Sequence, residues 1–126
     1  MPHPEILERF IALVEENAHV EAIGLFYTID ATMQENQSLP RVGRDALVAN
    51  ERRALARAKS VASHCVRPVF VNGDHVVIRW IFEFVAHDGS ITRIEELAYQ
   101  RLDGEQMTAE TFFYDPAQLK PMPAQT

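Results

Sequence analysis

The stretch HVVIRWIFEFV, residues 75–85, alternates between apolar and charged side chains along most of its length. Successive side chains of a β-strand point to opposite faces. One face of such a strand would carry the charges of Arg79 and Glu83 and would point outward. The other face would be wholly apolar and would consist of Val76, Ile78, Trp80, Phe82 and Phe84. This pattern predicts a strand with one face against the interior of the protein.

Three further stretches share this richness in β-branched and aromatic residues. They are VASHCVRPVFV (61–71), SITRIEELAYQRL (90–102) and QMTAETFFYD (106–115). The segments between the four stretches are Asn72-Gly73-Asp74, His87-Asp88-Gly89 and Asp103-Gly104, which are strong hairpin signals. The second half of the chain therefore predicts four consecutive antiparallel strands linked by hairpins.

The first half of the chain has helical spacing instead. Apolar residues recur at intervals of three and four from Ile6 to Val14, after Pro4, which suits a helix start. A second apolar series starts at Val20 and predicts another helix that ends near Asp30. No sustained period follows over residues 30–43, and a third helix is predicted after Gly43. The order predicts an α+β fold, with three helices on the concave face of a curved antiparallel sheet.

Length and charge narrow the classes of function. The 126 residues fit a single domain spanning residues 1–126, which would bury about two-thirds of its unfolded surface. A formal net charge of −6 argues against nucleic acid or an anionic membrane as a partner, since both need a basic face. The first residues lack the pattern of a secretory signal, and no apolar run is long enough to span a membrane. We therefore expect a cytoplasmic protein.

The familiar cofactor and metal motifs are missing from the sequence. It has no GxSxG elbow, no phosphate-binding loop and no GxGxxG fingerprint, so no serine nucleophile, phosphate cradle or dinucleotide site is expected. No cofactor is expected. No His-x-x-x-His or histidine–carboxylate spacing of the metal-binding kind occurs, so no metal is expected. His19, His75 and His87 lie beside turns and are expected to be solvated, and the single Cys65 is expected to be a buried, inert thiol.

Two segments resemble a known superfamily. FIALVEENAHVEAIGLFYTIDATMQENQSLPRVGRDAL (10–47) is similar to the helix pair, turn, strand and helix start of ketosteroid isomerases. GEQMTAETFFYDP (104–116) resembles the last strand of many SnoaL-like polyketide cyclases. Both groups belong to the nuclear-transport-factor-2-like superfamily. The resemblance, which runs from about Ile6 to Pro116, implies a cone-shaped fold that encloses a pocket for a small molecule.

The resemblance also implies a catalytic base. Glu35 lies where ketosteroid isomerases hold their carboxylate base. The two hydrogen-bond donors of the isomerase oxyanion hole do not transfer, because their places fall at Phe10 and near Ala98. Each missing donor would cost roughly 3 kcal/mol of enolate stabilisation. Ketosteroid isomerisation is therefore not expected.

Further pocket residues follow from the resemblance together with strand alternation. By resemblance, one face of the third predicted strand lines the pocket, the face that carries Glu96 and Gln100. The face of the last strand that carries Glu110, Phe112 and Tyr114 lines it as well. A slip of one residue in either strand would invert that assignment. Apolar contacts to a substrate are expected from Phe10, Trp80 and Phe82 as well. Alternatively, Glu96 and Glu110 only accept hydrogen bonds or pair with arginines at a dimer face.

Three classes of function are compatible with these residues. The first is a cofactor-free isomerase, cyclase or dehydratase that uses carboxylate acid–base chemistry on a small, largely apolar or aromatic molecule. The second is a non-catalytic ligand-binding module, and the third is a structural protein. Relatives by resemblance often dimerise through the outer sheet face. That face carries Val77, Ile81 and Val85 here, so we expect a homodimer.

Overall fold

The computed structural model describes residues 2–123 and contains helices in the first half and strands mainly in the second. The helices are α1 (Pro4–Glu15), α2 (His19–Phe26) and α3 (Arg44–Ala56), with a short 3₁₀ helix at Pro116–Leu119. The strands are β1 (Tyr27–Glu35), β2 (Arg41–Val42), β3 (Ala58–Asn72), β4 (His75–Ala86), β5 (Ile91–Asp103) and β6 (Gln106–Phe113).

The strands form one mixed sheet in the order β2-β1-β6-β5-β4-β3. The four predicted strands are β3 to β6, and each pairs with the next in antiparallel fashion. The first half of the chain adds a parallel pairing that the hairpin signals did not indicate, because β1 lies beside β6 with Met33 opposite Glu110. Three helices on a six-stranded sheet make up the cone-shaped α+β fold of the nuclear-transport-factor-2-like type.

The predicted extension of the second helix to Asp30 is wrong. α2 ends at Phe26, and the chain continues directly as β1. Leu25 and Ile29, which belong to the apolar series, are 62% and 74% exposed, so their spacing does not reflect burial in a helix. Residues 27–35 are extended because they pair with β6 on one side and with β2 on the other.

The inner face of the sheet is buried against the helices as the alternation predicts. In β4, Val76, Ile78, Trp80 and Phe82 are at most 9% exposed, whereas Arg79 and Glu83 face outward. The helices contribute mainly Leu7, Phe10, Ile11, Val14, Ala22, Ile23, Phe26 and Leu47 to the same core. Cys65 is buried, and burial raises the pKa of its thiol, as expected for an unreactive cysteine. None of the described helices is long and apolar enough to cross a membrane.

Candidate functional site

A cavity of about 510 Å³ lies between the helices and the inner face of the sheet. Its apolar wall includes Phe10, Val14, Ile23, Met33, Trp80, Phe82, Phe84, Ile94 and Phe112. Its polar groups include His19, Tyr27, Glu35, Arg41, Asn50, Glu51, Arg57, Glu96, Glu110 and Tyr114. A mostly apolar cavity of this size with a few polar groups is typical of small-molecule sites.

Glu110 is held in the sheet wall of the cavity by two donors. The register pairs Gln100 of β5 with Glu110 of β6, and Gln100 Nε2 donates to Glu110 Oε2 at 2.6 Å. The hydroxyl of Tyr27, the first residue of β1, donates to Glu110 Oε1. Burial raises the pKa of Glu110 to about 7, although both hydrogen bonds act in the opposite direction. The carboxyl can therefore gain or lose a proton near neutral pH.

Glu96 is the second carboxyl of the sheet wall, and its environment is poorer in partners. It lies on β5 opposite Trp80. Its Oε2 atom is buried and has no hydrogen-bond partner within residues 2–123. Burial, and after it the negative charges of Glu110 and Glu35, raises the pKa of Glu96 to about 8. Glu96 is therefore mainly protonated at neutral pH and can donate a hydrogen bond to a molecule in the cavity.

Glu35 lies at the mouth of the cavity, at the end of β1. Its side chain is 44% exposed, and its Oε2 atom is 3.5 Å from Nη1 of Arg41. The Tyr114 hydroxyl donates to Glu35 Oε1 at 3.2 Å. Burial and the charge of Glu35 raise the pKa of Tyr114 to about 12, so this hydroxyl keeps its proton. Glu35 is thus open to solvent and also faces the cavity.

A local turn fixes the distance between these two mouth residues. Asn36 has a left-handed backbone conformation with φ 49°. Its N–H donates to the carbonyl of Phe112 at 2.8 Å, and its Oδ1 accepts from the N–H of Tyr114 at 3.0 Å. The end of β1 is therefore tied to the end of β6, which places Glu35 beside Tyr114.

The helix wall of the cavity holds a further polar group that the sequence patterns do not reveal. His19 is expected to be solvated, but it is only 8% exposed. Its Nδ1 is 3.1 Å from Glu51 Oε1 on α3, and its Nε2 is 2.8 Å from Ser63 Oγ on β3. The ring also packs edge-on against Phe82. His19 is buried because the first turn of α2 packs against α3 and the sheet instead of lying at the surface.

Most of the residues predicted to form the site line the cavity. These are Phe10, Glu35, Trp80, Phe82, Glu96, Glu110, Phe112 and Tyr114. Gln100 lies on the predicted face but is fully buried and is not among the cavity-lining residues, so it contacts Glu110 instead of the open space. Its role is therefore limited to holding that carboxyl.

Sequence patterns missed several polar residues of the cavity, among them Tyr27, His19 and Glu51. Tyr27 lies inside the predicted second helix, and its partner Glu110 is 83 residues away in the chain. His19 and Glu51 are 32 residues apart and belong to two helices whose packing the sequence does not specify. A partial signal existed for Glu51, since it lies one turn after Leu47 on the buried side of α3.

The described residues contain no group of three or more histidine, cysteine or carboxylate side chains that could hold a metal ion. The polar groups of the cavity are carboxyl, hydroxyl, imidazole, guanidinium and amide groups. Acid–base chemistry and hydrogen bonding are what such groups can supply directly.

Comparison with known proteins agrees with this architecture. The profile of the SnoaL-like domain matches residues 7–110. The chain belongs to the SnoaL-like domain family. None of the curated proteins matches the chain.

Solved structures with the same fold cover most of this SnoaL-like chain. One is a hypothetical protein with a ketosteroid isomerase-like fold from Catenulispora acidiphila, in complex with trimethylamine. It is 20% identical with a TM-score of 0.76, over 91% of this chain and 88% of that one. TerC, co-crystallised with polyporic acid, is 12% identical with a TM-score of 0.76, over 91% and 92%.

A third structure has the same fold without a known role. This NTF2-like protein of unknown function from Burkholderia pseudomallei is 10% identical with a TM-score of 0.78, over 91% of this chain and 92% of that one. Identities this low establish the fold and not the chemistry. The family and the cavity together identify a small-molecule pocket protein.

Proposed function

We propose that this protein is a cofactor-free acid–base enzyme, an isomerase, cyclase or dehydratase, that acts on a small, largely apolar molecule bearing a carbonyl or hydroxyl group. One observation carries the proposal. Three of the four carboxyl groups that line the cavity, Glu35, Glu96 and Glu110, lie in three different environments. Carboxyls whose surroundings separate their proton affinities can serve as base and acid in a single site.

Each carboxyl has a role that follows from its surroundings. Glu35, paired with Arg41 and open to solvent, is the base that removes a proton next to the carbonyl. The negative charge then develops on the carbonyl oxygen of the substrate. Glu96, which keeps its proton at neutral pH, donates a hydrogen bond to that oxygen from within the apolar wall. Tyr114 orients Glu35, and Glu110 can exchange a proton close to neutral pH.

Ketosteroid isomerisation itself is not the activity we propose. Phe10 and Ala98 lie buried at the positions that the resemblance assigns to the two oxyanion donors of that enzyme. The donor that the sheet wall offers here is the protonated Glu96 on β5, since the single O–H of Tyr114 already donates to Glu35. A different placement of donors favours a different substrate oxygen, so the reaction shares the acid–base principle and not the substrate.

Non-catalytic binding is the second candidate function. It is favoured by the many aromatic side chains of the cavity, among them Trp80 stacked on Phe82 with ring centroids 5.5 Å apart. Two proteins of the same fold hold small molecules, trimethylamine in one and polyporic acid in the other. Under this alternative the same cavity holds an aromatic molecule without transforming it.

Deuterium exchange tests the catalytic proposal with simple ketones in place of the natural substrate. Small aromatic ketones that raise the melting temperature, starting with 2-tetralone, are incubated with the protein in D₂O, and NMR follows loss of the α-proton. Glu35→Gln should lower the exchange rate by about 10²- to 10⁴-fold, the usual contribution of a general base. The matched control is Glu83→Gln, since Glu83 faces outward on β4.

The outcomes separate the two candidate functions. Exchange that depends on Glu35 and not on Glu83, with unchanged ketone affinity in both variants, supports the enzyme. Ketones that bind and are not exchanged by the wild type favour the binding module. Exchange at equal rates in wild type and Glu35→Gln would remove Glu35 from the mechanism.

We further propose that the protein forms a homodimer through the outer face of the sheet. Leu97, Tyr99 and Phe113 are 45%, 43% and 42% exposed on neighbouring strands, and Leu97 lies directly opposite Phe113. Val77 extends this apolar patch because it pairs with Tyr99. Sedimentation at micromolar concentration should show a dimer, and Leu97→Arg should shift it to monomer. A wild type that is monomeric at that concentration would disprove the dimer.

A further inference from the structure

A chain of four polar side chains crosses the helix wall of the cavity. Glu51 Oε1 contacts His19 Nδ1 at 3.1 Å, His19 Nε2 contacts Ser63 Oγ at 2.8 Å, and Ser63 Oγ donates to Asn17 Oδ1 at 2.9 Å. The four residues come from α3, the first turn of α2, β3 and the turn between α1 and α2. Every contact is within hydrogen-bond distance, so the chain is continuous.

The two ends of this chain meet different surroundings. Glu51 and His19 both line the cavity. Ser63 is not among the lining residues, is partly exposed, and lies on β3, the outermost strand on that side of the sheet. The chain of hydrogen bonds therefore runs from the ligand space to the solvent-facing edge of the sheet.

The hydroxyl of Ser63 lets the His19 ring keep a hydrogen bond at each nitrogen in two protonation states. When the ring carries both N–H groups, Nδ1–H donates to Glu51, Nε2–H donates to Ser63 Oγ, and the hydroxyl donates to Asn17. When Nε2 has lost its proton, rotation of the same hydroxyl lets it donate to Nε2 instead. A histidine with a purely structural role needs only one of these sets of hydrogen bonds, whereas His19 can adopt both.

We propose that Glu51, His19 and Ser63 form a proton relay that connects the cavity to solvent. The proposal rests on the proposed acid–base function and adds a second proton-transfer group to it. Glu51 faces the ligand and accepts a proton from it: an O–H bond forms on Glu51 as a C–H or O–H bond of the ligand breaks, and the ligand keeps the electron pair. The His19 ring then starts with its proton on Nε2 and with Nδ1 unprotonated, so the proton of Glu51 passes to Nδ1. Nε2 gives its proton to Ser63 Oγ, while the Ser63 hydroxyl turns away from Asn17 and gives its own proton to a water molecule, which leaves the ring protonated on Nδ1 alone. The reverse sequence returns a proton to the ligand, and no electrons are transferred.

The location of the relay assigns different tasks to its members. Glu51 is the group that touches the ligand, at the wall opposite the sheet carboxyls Glu96 and Glu110. His19 and Ser63 act through Glu51 and are positioning and relay residues. The edge-on contact between His19 and Phe82 restricts the movement of the ring.

Chemical rescue tests the relay. His19→Ala opens a ring-sized space in the cavity wall, and it should slow ketone deuterium exchange by about 10²-fold, the lower range for a proton-transfer group. Added imidazole should restore the rate in a saturable manner, because it can occupy that space and carry the proton. A histidine that only supports the fold would not be replaced by free imidazole. His64→Ala is the matched control, since His64 is the neighbour of Ser63 and is exposed.

Glu51→Gln and Ser63→Ala extend the test to the other members. Glu51→Gln should slow exchange as much as His19→Ala and should not respond to imidazole. Ser63→Ala should slow exchange about 10-fold or less, since water can replace a hydroxyl. Wild-type rates in Glu51→Gln, or a His19→Ala variant that stays folded and slow in imidazole, would overturn the relay.

The relay can still be tested if the wild type exchanges no ketone. That outcome would disprove the proposed function and would not by itself disprove the relay. In that case the nitrogen NMR signals of the His19 ring are compared in wild type and Glu51→Gln. A ring that shares a proton with Glu51 must change its tautomer populations when the carboxylate becomes an amide. Identical ring spectra in the two proteins would exclude the relay.

Discussion

The sheet wall and the mouth of the cavity carry the same side chain in opposite environments. Glu96 and Glu110 are enclosed by the sheet and its apolar neighbours, and burial raises the pKa of both. Glu35 at the mouth is 44% exposed and has an arginine 3.5 Å away. The first environment penalises a negative charge, and the second leaves the carboxyl accessible to water.

Because of this difference, the cavity has a hydrogen-bond donor at its sheet wall and a proton acceptor at its mouth. A protonated carboxyl such as Glu96 can donate a hydrogen bond to an oxygen that gains negative charge. A carboxylate such as Glu35 can accept a proton. Glutamate side chains thus serve both as hydrogen-bond donor and as proton acceptor. The exposure of each side chain to water determines which role it has. Experiments that change one region and not the other test this comparison directly.

The largest effect is expected at the sheet wall, where Glu96→Gln should flatten the dependence of stability on pH. The pKa of Glu96 is about 8 in the folded protein, against 4.5 as its ordinary value. Between these values the folded state holds a proton that the unfolded state has released, so the wild type loses stability as pH rises. From about pH 6 to pH 8 the loss should be on the order of 2 kcal/mol from this group. Urea titrations at several pH values measure it.

Three other carboxyls define the controls for this measurement. Glu110 contributes in the same direction, with a pKa of about 7, so Glu96→Gln keeps part of the slope. Glu8 has its pKa lowered by the hydrogen bond to Arg67, so its contribution falls at lower pH, outside the window. Glu83→Gln should retain the full wild-type slope. A Glu96→Gln protein with that same slope would show that Glu96 is ionised in the cavity.

The separation along the chain between paired strands also explains how much of the fold could be predicted. Strands β3 to β6 are joined by tight turns, so alternation and hairpin residues reveal them locally. β1 could not be recognised in this way, because its extended form depends on β6, and Tyr27 pairs with Met107 far along the chain. The apolar residues Leu25 and Ile29 then suggested a helix although both are exposed.

The candidate site, like the fold, could be predicted only where local patterns or the resemblance specify it. Alternation grouped Glu96 with Gln100 in β5 and Glu110 with Tyr114 in β6. The resemblance then assigned both groups to the pocket and added Glu35. The groups that hold or extend this set come from elsewhere, such as Tyr27 on Glu110 and Glu51 on His19. Their positions follow from the packing of helices on the sheet, which no local pattern specifies. The pKa values depend on burial and were equally beyond the sequence.

The smallest effect is expected at the mouth, where Arg41→Gln should change the free energy of unfolding by less than about 1 kcal/mol. Arg41 and Glu35 are both more than two-fifths exposed, and their nearest charged atoms are 3.5 Å apart. Water therefore solvates each charge almost as well after the partner is removed, and salt screens what attraction exists. Urea titrations of both proteins at low and high salt measure the difference, which should shrink further as salt is added. A loss of several kcal/mol that persists in high salt would mean that the mouth is covered in solution. In that case Glu35 would share the buried environment of Glu96, and the contrast between the two regions would disappear.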